Sequence, residues 1–216
     1  MTEKNKIKIS QPRHLGRVWQ MIYNTLAFSM FSIYVGAALF FPLGPEYHRG
    51  LYAGITLCLI FITYPASQRK LTNHPSVLDI CFVILSILCC GYWITEFEAL
   101  NFRAGAETQL DYFISLVGIP LGLEAARRVL GWPLPIIALV AIAFGVFGQY
   151  LPEPFEHAGF SLREIAVYLF LSNNGFFGLM TNILATFVIL FIFFGAILDS
   201  IGASRLFIDL PMAMVG

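Results

Sequence analysis

Polar and apolar positions along this chain alternate in long blocks rather than at helical or strand period. Six stretches are almost wholly apolar: Met21–Phe41, Gly50–Tyr64, Val77–Thr95, Leu110–Ala126, Trp132–Leu151 and Ile183–Ala203. A helix rises about 1.5 Å per residue, so about 20 apolar residues cross a hydrocarbon core of about 30 Å. Most of these runs have that length. The pattern therefore predicts an all-α, polytopic integral membrane helix bundle of about six transmembrane helices, and it excludes a soluble enzyme.

The blocks between the runs sort by charge. Lys4, Lys6, Lys8, Arg13 and Arg17 precede the first run, Arg69 and Lys70 follow the second, Arg127 and Arg128 the fourth, and Arg205 the sixth. The alternate set of loops holds only Arg49, Arg103 and Arg163 among bases, and it carries Glu46, Glu96, Glu98, Glu107, Asp111, Glu153, Glu156 and Glu164. Lys and Arg resist translocation against the membrane potential, so the basic set stays cytoplasmic. Six crossings with both termini inside follow. Residues 1–20 read as a basic cytoplasmic tail with weak attraction for anionic headgroups. The first run is an anchor and not a cleaved signal, because it is too long for an h-region and lacks an Ala-x-Ala-like site. Trp19 and Trp132 at inner ends, and Trp93 and Tyr150 at outer ends, suit rings that prefer the headgroup zone.

Composition changes the picture little. Hydrophobic residues make up 58% of the 216 and charged residues 12%, against about 25% charged in soluble domains. Cys58, Cys81, Cys89 and Cys90 all lie in apolar runs, where they read as small packing residues rather than disulfides or zinc ligands. His14, His48, His74 and His157 are scattered among loops with no metal-ligand spacing. No glycine precedes a lysine, so no P-loop can cradle ATP phosphates. No Gly-x-Ser-x-Gly turn is present either. The chain shows no catalytic, cofactor-binding or metal site, and nothing in it points to nucleic acid.

Local signals place several elements. Asn73-His-Pro75 closes an inner loop, and Asp79 opens the third helix, where an acid is stabilised by the helix dipole; an ion-path role is the alternative. Gly118-Ile-Pro-Leu-Gly122 reads as a packing seam for a neighbouring helix, with a bend at Pro120. Glu124 stands at helical spacing from Arg127 and Arg128. Gly131-Trp-Pro133 is a tight corner, glycine ending one helix and proline starting the next. Ser161-Leu-Arg-Glu164 is a capping box opening a helix too short to span, from Leu162 to about Leu171, broken by Ser172-Asn-Asn-Gly175. This stretch reads as a helix lying on the outer face; an embedded broken segment lining a cavity is the alternative. Thr181 or Asn182 caps the last run. Asp199, near the inner interface, reads as an exposed or Arg205-paired acid, with an ion path again the alternative. Pro211–Gly216 begins another apolar segment, so the sequence is expected to be a piece of a longer one.

Gly122-Leu-Glu-Ala-Ala-Arg-Arg-Val-Leu-Gly-Trp-Pro-Leu-Pro-Ile, Asn182-Ile-Leu-Ala-Thr-Phe, Phe193-Phe-Gly-Ala-Ile-Leu-Asp-Ser-Ile-Gly-Ala and Phe207-Ile-Asp-Leu together resemble the fused permease of TRAP (tripartite ATP-independent periplasmic) transporters, TAXI type. The likeness is specific over about residues 110–216, whereas residues 1–109 resemble the family's small membrane subunit in architecture. The resemblance implies an N-terminal part of a sodium-gradient-driven importer of organic acids or related solutes in the bacterial inner membrane, fed by a periplasmic substrate-binding protein. It implies small-subunit-like scaffold helices at 21–130 and the start of the large-subunit transport domain at 131–216. Na+ is then the coupling ion, and membrane lipids and the remainder of the large permease domain are partners. The family's substrate and sodium sites lie downstream of Gly216. A non-transporting membrane scaffold or assembly subunit is the alternative. A membrane-embedded enzyme of lipid metabolism would have only Asp79, Glu124 and Asp199 to work with.

Overall fold

The computed structural model describes residues 12–66, 73–103, 105–150, 152–203 and Met212. Among these, all regular structure is helical: α1 (Arg17–Leu39), α2 (Pro45–Thr63), α3 (Val77–Thr95), α4 (Phe97–Phe102), α5 (Gln109–Leu130), α6 (Pro133–Phe147, closing in a 3₁₀ turn Gly148–Tyr150), α7 (Leu162–Phe170), α8 (Leu179–Ile183) and α9 (Ile189–Ser200). A π turn, Leu184–Val188, joins α8 to α9 into one helix of 22 residues.

Among the described residues, four helices are both long and apolar enough to cross a membrane: α1, α3, α6 with its 3₁₀ turn, and α8–α9. The pattern of runs predicts six. The other two, α2 and α5, have 19 and 22 residues, but charge interrupts them, with Glu46 and Arg49 in α2 and Asp111, Glu124, Arg127 and Arg128 in α5. The four charges of α5 are all paired inside the bundle, so its hydropathy understates how little charge it presents outward.

The helix ends follow from the caps. Ser76 and Asp79 form a reciprocal capping box at the start of α3, Thr108 and Asp111 another at α5, and Ser161 and Glu164 the expected one at α7. Each satisfies backbone donors that the first turn otherwise leaves free. Pro45 and Pro133 occupy first-turn positions, which extends the second helix upstream of its apolar run. Gly131, at φ +86°, ends α5 in a conformation that a Cβ disfavours. α5 runs through Pro120 as one helix.

The main core gathers α2, α3, α5 and α7 with the turn after it: Phe61, Cys89, Cys90, Trp93, Leu121, Phe170 and Phe177 are buried together. A smaller core sets Tyr34 of α1 against Ala185 and Ile189. Three cysteines pack in the interior; Cys81 is exposed on α3, and all four are free thiols. Trp93 is fully buried rather than placed at a headgroup level, because its ring stacks on Phe177 at 4.2 Å and its indole N–H donates to Leu171 O at 3.0 Å. Trp132 is exposed beside the Arg127 guanidinium.

One face of the short helix packs into the bundle, and Leu162 and Tyr168 on the other stay exposed. Ala166, Val167 and Phe170 of α7 are buried, and Phe170 reaches Gly118 in the middle of α5. The Gly118–Gly122 seam therefore receives aromatic rings from the broken segment instead of a neighbouring helix backbone. A Cβ on Gly118 would stand 2.2 Å from the Phe170 ring, whereas one on Gly122 would meet Phe176 at 3.4 Å. Phe170 packs against Phe176 and Phe177 and has nowhere to move. Gly118→Ala is expected to destabilise by about 1–3 kcal/mol through overpacking, and Gly122→Ala to be near neutral. Unfolding of both variants in mixed micelles checks this; equal effects would contradict the asymmetry.

Candidate functional site

Three polar constellations tie the helices together, one at each end of the bundle and one at the break after α7. The inner one is built on Asp79. Its carboxylate accepts from Arg13 Nη2 at 2.8 Å, Arg128 Nη1 at 2.7 Å and the Ser76 backbone N–H at 2.9 Å. Asp79, Arg13 and Arg128 are all buried. Arg128 also donates to Tyr64 O at 2.9 Å and, through Nε, to Glu124 at 2.9 Å. Its guanidinium lies against the Phe61 and Phe82 rings, 5.0 and 5.2 Å from their centres. Arg127 grips Glu124 with two bonds of 2.7 Å and donates to Ala66 O at 3.0 Å. Ahead of α1, residues 12–16 form a strap: Arg13 N–H donates to Thr63 O at 2.9 Å and Gly16 N–H to Asn73 O at 2.7 Å. One carboxylate thus holds the strap, α3 and α5, while Arg128 reaches the end of α2.

The sequence signals for Glu124 with Arg127 and Arg128 hold. Asp79 keeps its capping place and gains two guanidinium partners that no local pattern indicates. Of the three acids noted near the inner interface, the structure joins Asp79 and Glu124 through Arg128 and leaves Asp199 exposed on α9. Arg205, its expected partner, lies outside the described residues, as do Arg69 and Lys70.

At the other end, Asp111 is buried. It accepts from Arg103 at 2.8 and 3.1 Å, from the Tyr92 hydroxyl at 2.6 Å and from Thr108. Arg103 also reaches Glu96 at 2.9 Å. The hydrogen-bonded Asp111 carboxylate raises the hold of Arg103 on its proton well above the ordinary. The acidic stretch from Glu96 to Asp111 is in part this clasp of α3, α4 and α5.

Beside this clasp lies the break. Arg49, one turn into α2, donates to Asn182 Oδ1 at 3.3 Å, Asn173 Oδ1 at 3.3 Å and Phe177 O at 3.2 Å. Its three acceptors bracket the whole turn between α7 and α8. Asn173 Nδ2 donates to Asn101 Oδ1 at 2.6 Å. Thr181 does not cap the last helix through its side chain; its hydroxyl donates back to Phe176 O, and Gly178 is the cap. Helix interiors lose their regular bonding at a π turn, here Leu184–Val188, and such turns often mark functional places. Irregular backbone packed inside a bundle needs polar partners, and Arg49 with the Trp93 indole supplies them. Arg49 counts in the sequence only as an outer-loop base, and its acceptors lie more than 120 residues away.

Beside the break, α5, α6 and α7 enclose a cavity of about 1370 Å³, open on one side. Gly118, Gly122 and Ala126 line one wall, and Ala138, Ala141 and Gly145 the facing one. Among the described residues, no three His, Cys, Asp or Glu side chains gather as a metal site would need.

Residues 117–216 match the family model of the Tripartite ATP-independent periplasmic transporter, DctM component. No curated protein and no solved structure gives a match. The matched stretch starts inside α5 and takes in the α5–α6 corner, α7, the break and α8–α9. Its likeness is to a transporter component, not to an enzyme. Glu124, Arg127 and Arg128 lie inside it, whereas Arg13, Arg49, Asp79 and Trp93, which hold it in place, lie before it.

Arg49→Ala is expected to leave the bundle folded and to loosen the break: amide hydrogen exchange over residues 172–188 should speed up at least tenfold, with α3 and α5 unchanged. Arg49→Lys should recover only part of the protection, since an ammonium lacks the planar fork that spans separate acceptors. Unchanged exchange in Arg49→Ala would show that the turn does not depend on this side chain.

Proposed function

We propose that this chain is the N-terminal part of the fused permease of a TRAP transporter of the TAXI type. The observation that carries the reading is the family match over residues 117–216, on a stretch whose helices are apolar and whose short α7 enters the bundle instead of crossing it. In this reading the chain crosses the bacterial inner membrane six times with both termini in the cytoplasm, as the distribution of Lys and Arg favours. Residues 21–130 supply small-subunit-like scaffold helices, and residues 131–216 begin the transport domain.

The division of labour follows from the contacts. The inner cluster around Asp79 and the outer clasp around Asp111 fasten α3 and α5 at both ends, which suits a part that stays fixed while another moves. Neither cluster offers a free carboxylate at membrane depth for an ion or solute. The chemistry of import, a sodium gradient carrying an organic acid delivered by a periplasmic binding protein, belongs in this reading to residues beyond those described. The contribution of this chain is the frame and the first helices hung on it.

The test uses cells that carry the natural gene together with the gene for its binding protein. Uptake of labelled organic acids is expected to require the binding protein and an inward sodium gradient, to collapse when that gradient is dissipated, and to vanish when residues 117–216 are deleted. Uptake that continues without the gradient, or that survives the deletion, would overturn the reading.

A further inference from the structure

The cavity between α5, α6 and α7 takes no part in the function proposed above, and its make-up is ordered along its length. At the end near the α5–α6 corner it is lined by Leu123, Ala126, Leu134 and Ala138, all apolar. Gly118 and Gly122 on α5 are taken up by the Phe170 and Phe176 rings, so the open length runs along Leu134, Ala138 and Ala141 of α6, about 10 Å at 1.5 Å per residue. Charged groups gather only toward the start of α7, where Arg103, Glu107 and Glu164 line the cavity, while Asn101, Ser172, Asn173 and Asn174 line its side at the break. Gly145 of α6 stands there too, accepting from the Phe160 N–H at 3.0 Å. A long apolar slot with charge at one mouth is the shape of an amphiphile.

The outward face of α6 shows what surrounds the slot. Ile136, Ile137, Leu139 and Val140 are exposed along it, and Leu134 of the same helix both lines the cavity and is exposed, so once α6 crosses a bilayer these side chains meet acyl chains. Water gains little there, because a buried water needs several polar partners and the apolar end offers none. Filling the slot with hydrocarbon removes its walls from any residual water.

Charge selects the headgroup. Arg103 is committed to Asp111 and Glu96, and Arg163 donates to the Glu107 backbone carbonyl. That leaves Glu107 and Glu164 as the carboxylates lining the mouth. The Glu164 side chain accepts from the Ser161 backbone N–H and is otherwise exposed. The Ser161 N–H and hydroxyl hold its carboxyl below the usual range, so it carries its charge at neutral pH. The mouth is net acidic, which disfavours an anionic head and suits an ammonium.

We infer that this cavity binds one membrane phospholipid with a primary-amine, zwitterionic headgroup, its acyl chain along the Leu134–Ala141 wall of α6 and its ammonium at Glu164 and Glu107. The inference rests on the reading that α6 spans the bilayer.

The full chain, extracted from membranes in mild detergent, is offered equal amounts of phosphatidylethanolamine and phosphatidylglycerol, and retained lipid is measured by native mass spectrometry. One phosphatidylethanolamine is expected to stay bound, favoured over phosphatidylglycerol about fivefold. Glu164→Gln keeps the capping box, which accepts glutamine, and should erase that preference while lipid is still retained. Ala141→Trp fills the slot and should abolish retention; Ala138→Phe is the second filling variant should the first fail to give a monodisperse peak. No retained lipid, equal retention of the two lipids by the unsubstituted chain, or retention undisturbed by filling would overturn the inference. A chain that extracts as an integral membrane protein but retains no lipid contradicts this inference alone, whereas a chain absent from the membrane fraction contradicts the transporter reading as well.

Discussion

A carboxylate cannot sit charged and unpaired in an apolar interior, and Asp79 sits in one. Removing a charge from water costs several kcal/mol even after relaxation, and only close, well-aligned partners offset it. The solution here is two guanidinium groups at 2.8 and 2.7 Å. One comes from the strap before α1 and the other from the last turn of α5. Satisfying a single side chain therefore brings together segments 66 and 49 residues away in sequence. Arg128 extends the constraint to the end of α2 through Tyr64 O, and Arg127 reaches the following loop through Ala66 O. At this end of the bundle the strap, α2, α3 and α5 are tied together by charge pairing and hydrogen bonds.

With those ends fixed and Asp111 closing the other side, the bundle can carry a segment that breaks the rules of a membrane interior. α7 stops after nine residues, and the chain then turns without regular structure before α8. Arg49 and Trp93 cover the exposed backbone, and Gly118 gives Phe170 room to enter. The π turn that follows packs Ala185 against Tyr34 of α1. The stretch that matches the transporter family is thus held from its own α5 and from the residues before it.

Much of the helical skeleton was legible in the runs of apolar residues, and the bounds of α3 coincide with its run. Local chemistry was legible as well: the capping box at Ser161, the Gly131–Pro133 corner and the Glu124 pairs all depend on neighbours within four residues. The pairings that organise the site were not. Asp79 announces its helix dipole role, but nothing near it names Arg13 or Arg128. Trp93 at a helix end looks like an interfacial ring until Phe177, 84 residues on, is brought against it. The partner of α7 was equally hidden. Its apolar face fits a lipid surface as well as a protein core, and Gly118, which receives its Phe170, lies on another helix.

The central claim is that Asp79 and Arg128 are coupled and that the coupling sets the inner end of the bundle. A double-mutant cycle with Asp79→Leu, Arg128→Met and the double variant, followed by unfolding in mixed micelles, tests it most directly. Asp79→Leu alone should cost about 3–5 kcal/mol, because it strands two buried guanidinium groups. The double variant should cost less than the sum of the single ones by about 2–3 kcal/mol. Costs that add to within about 0.5 kcal/mol would show the two residues to be independent and would contradict the account.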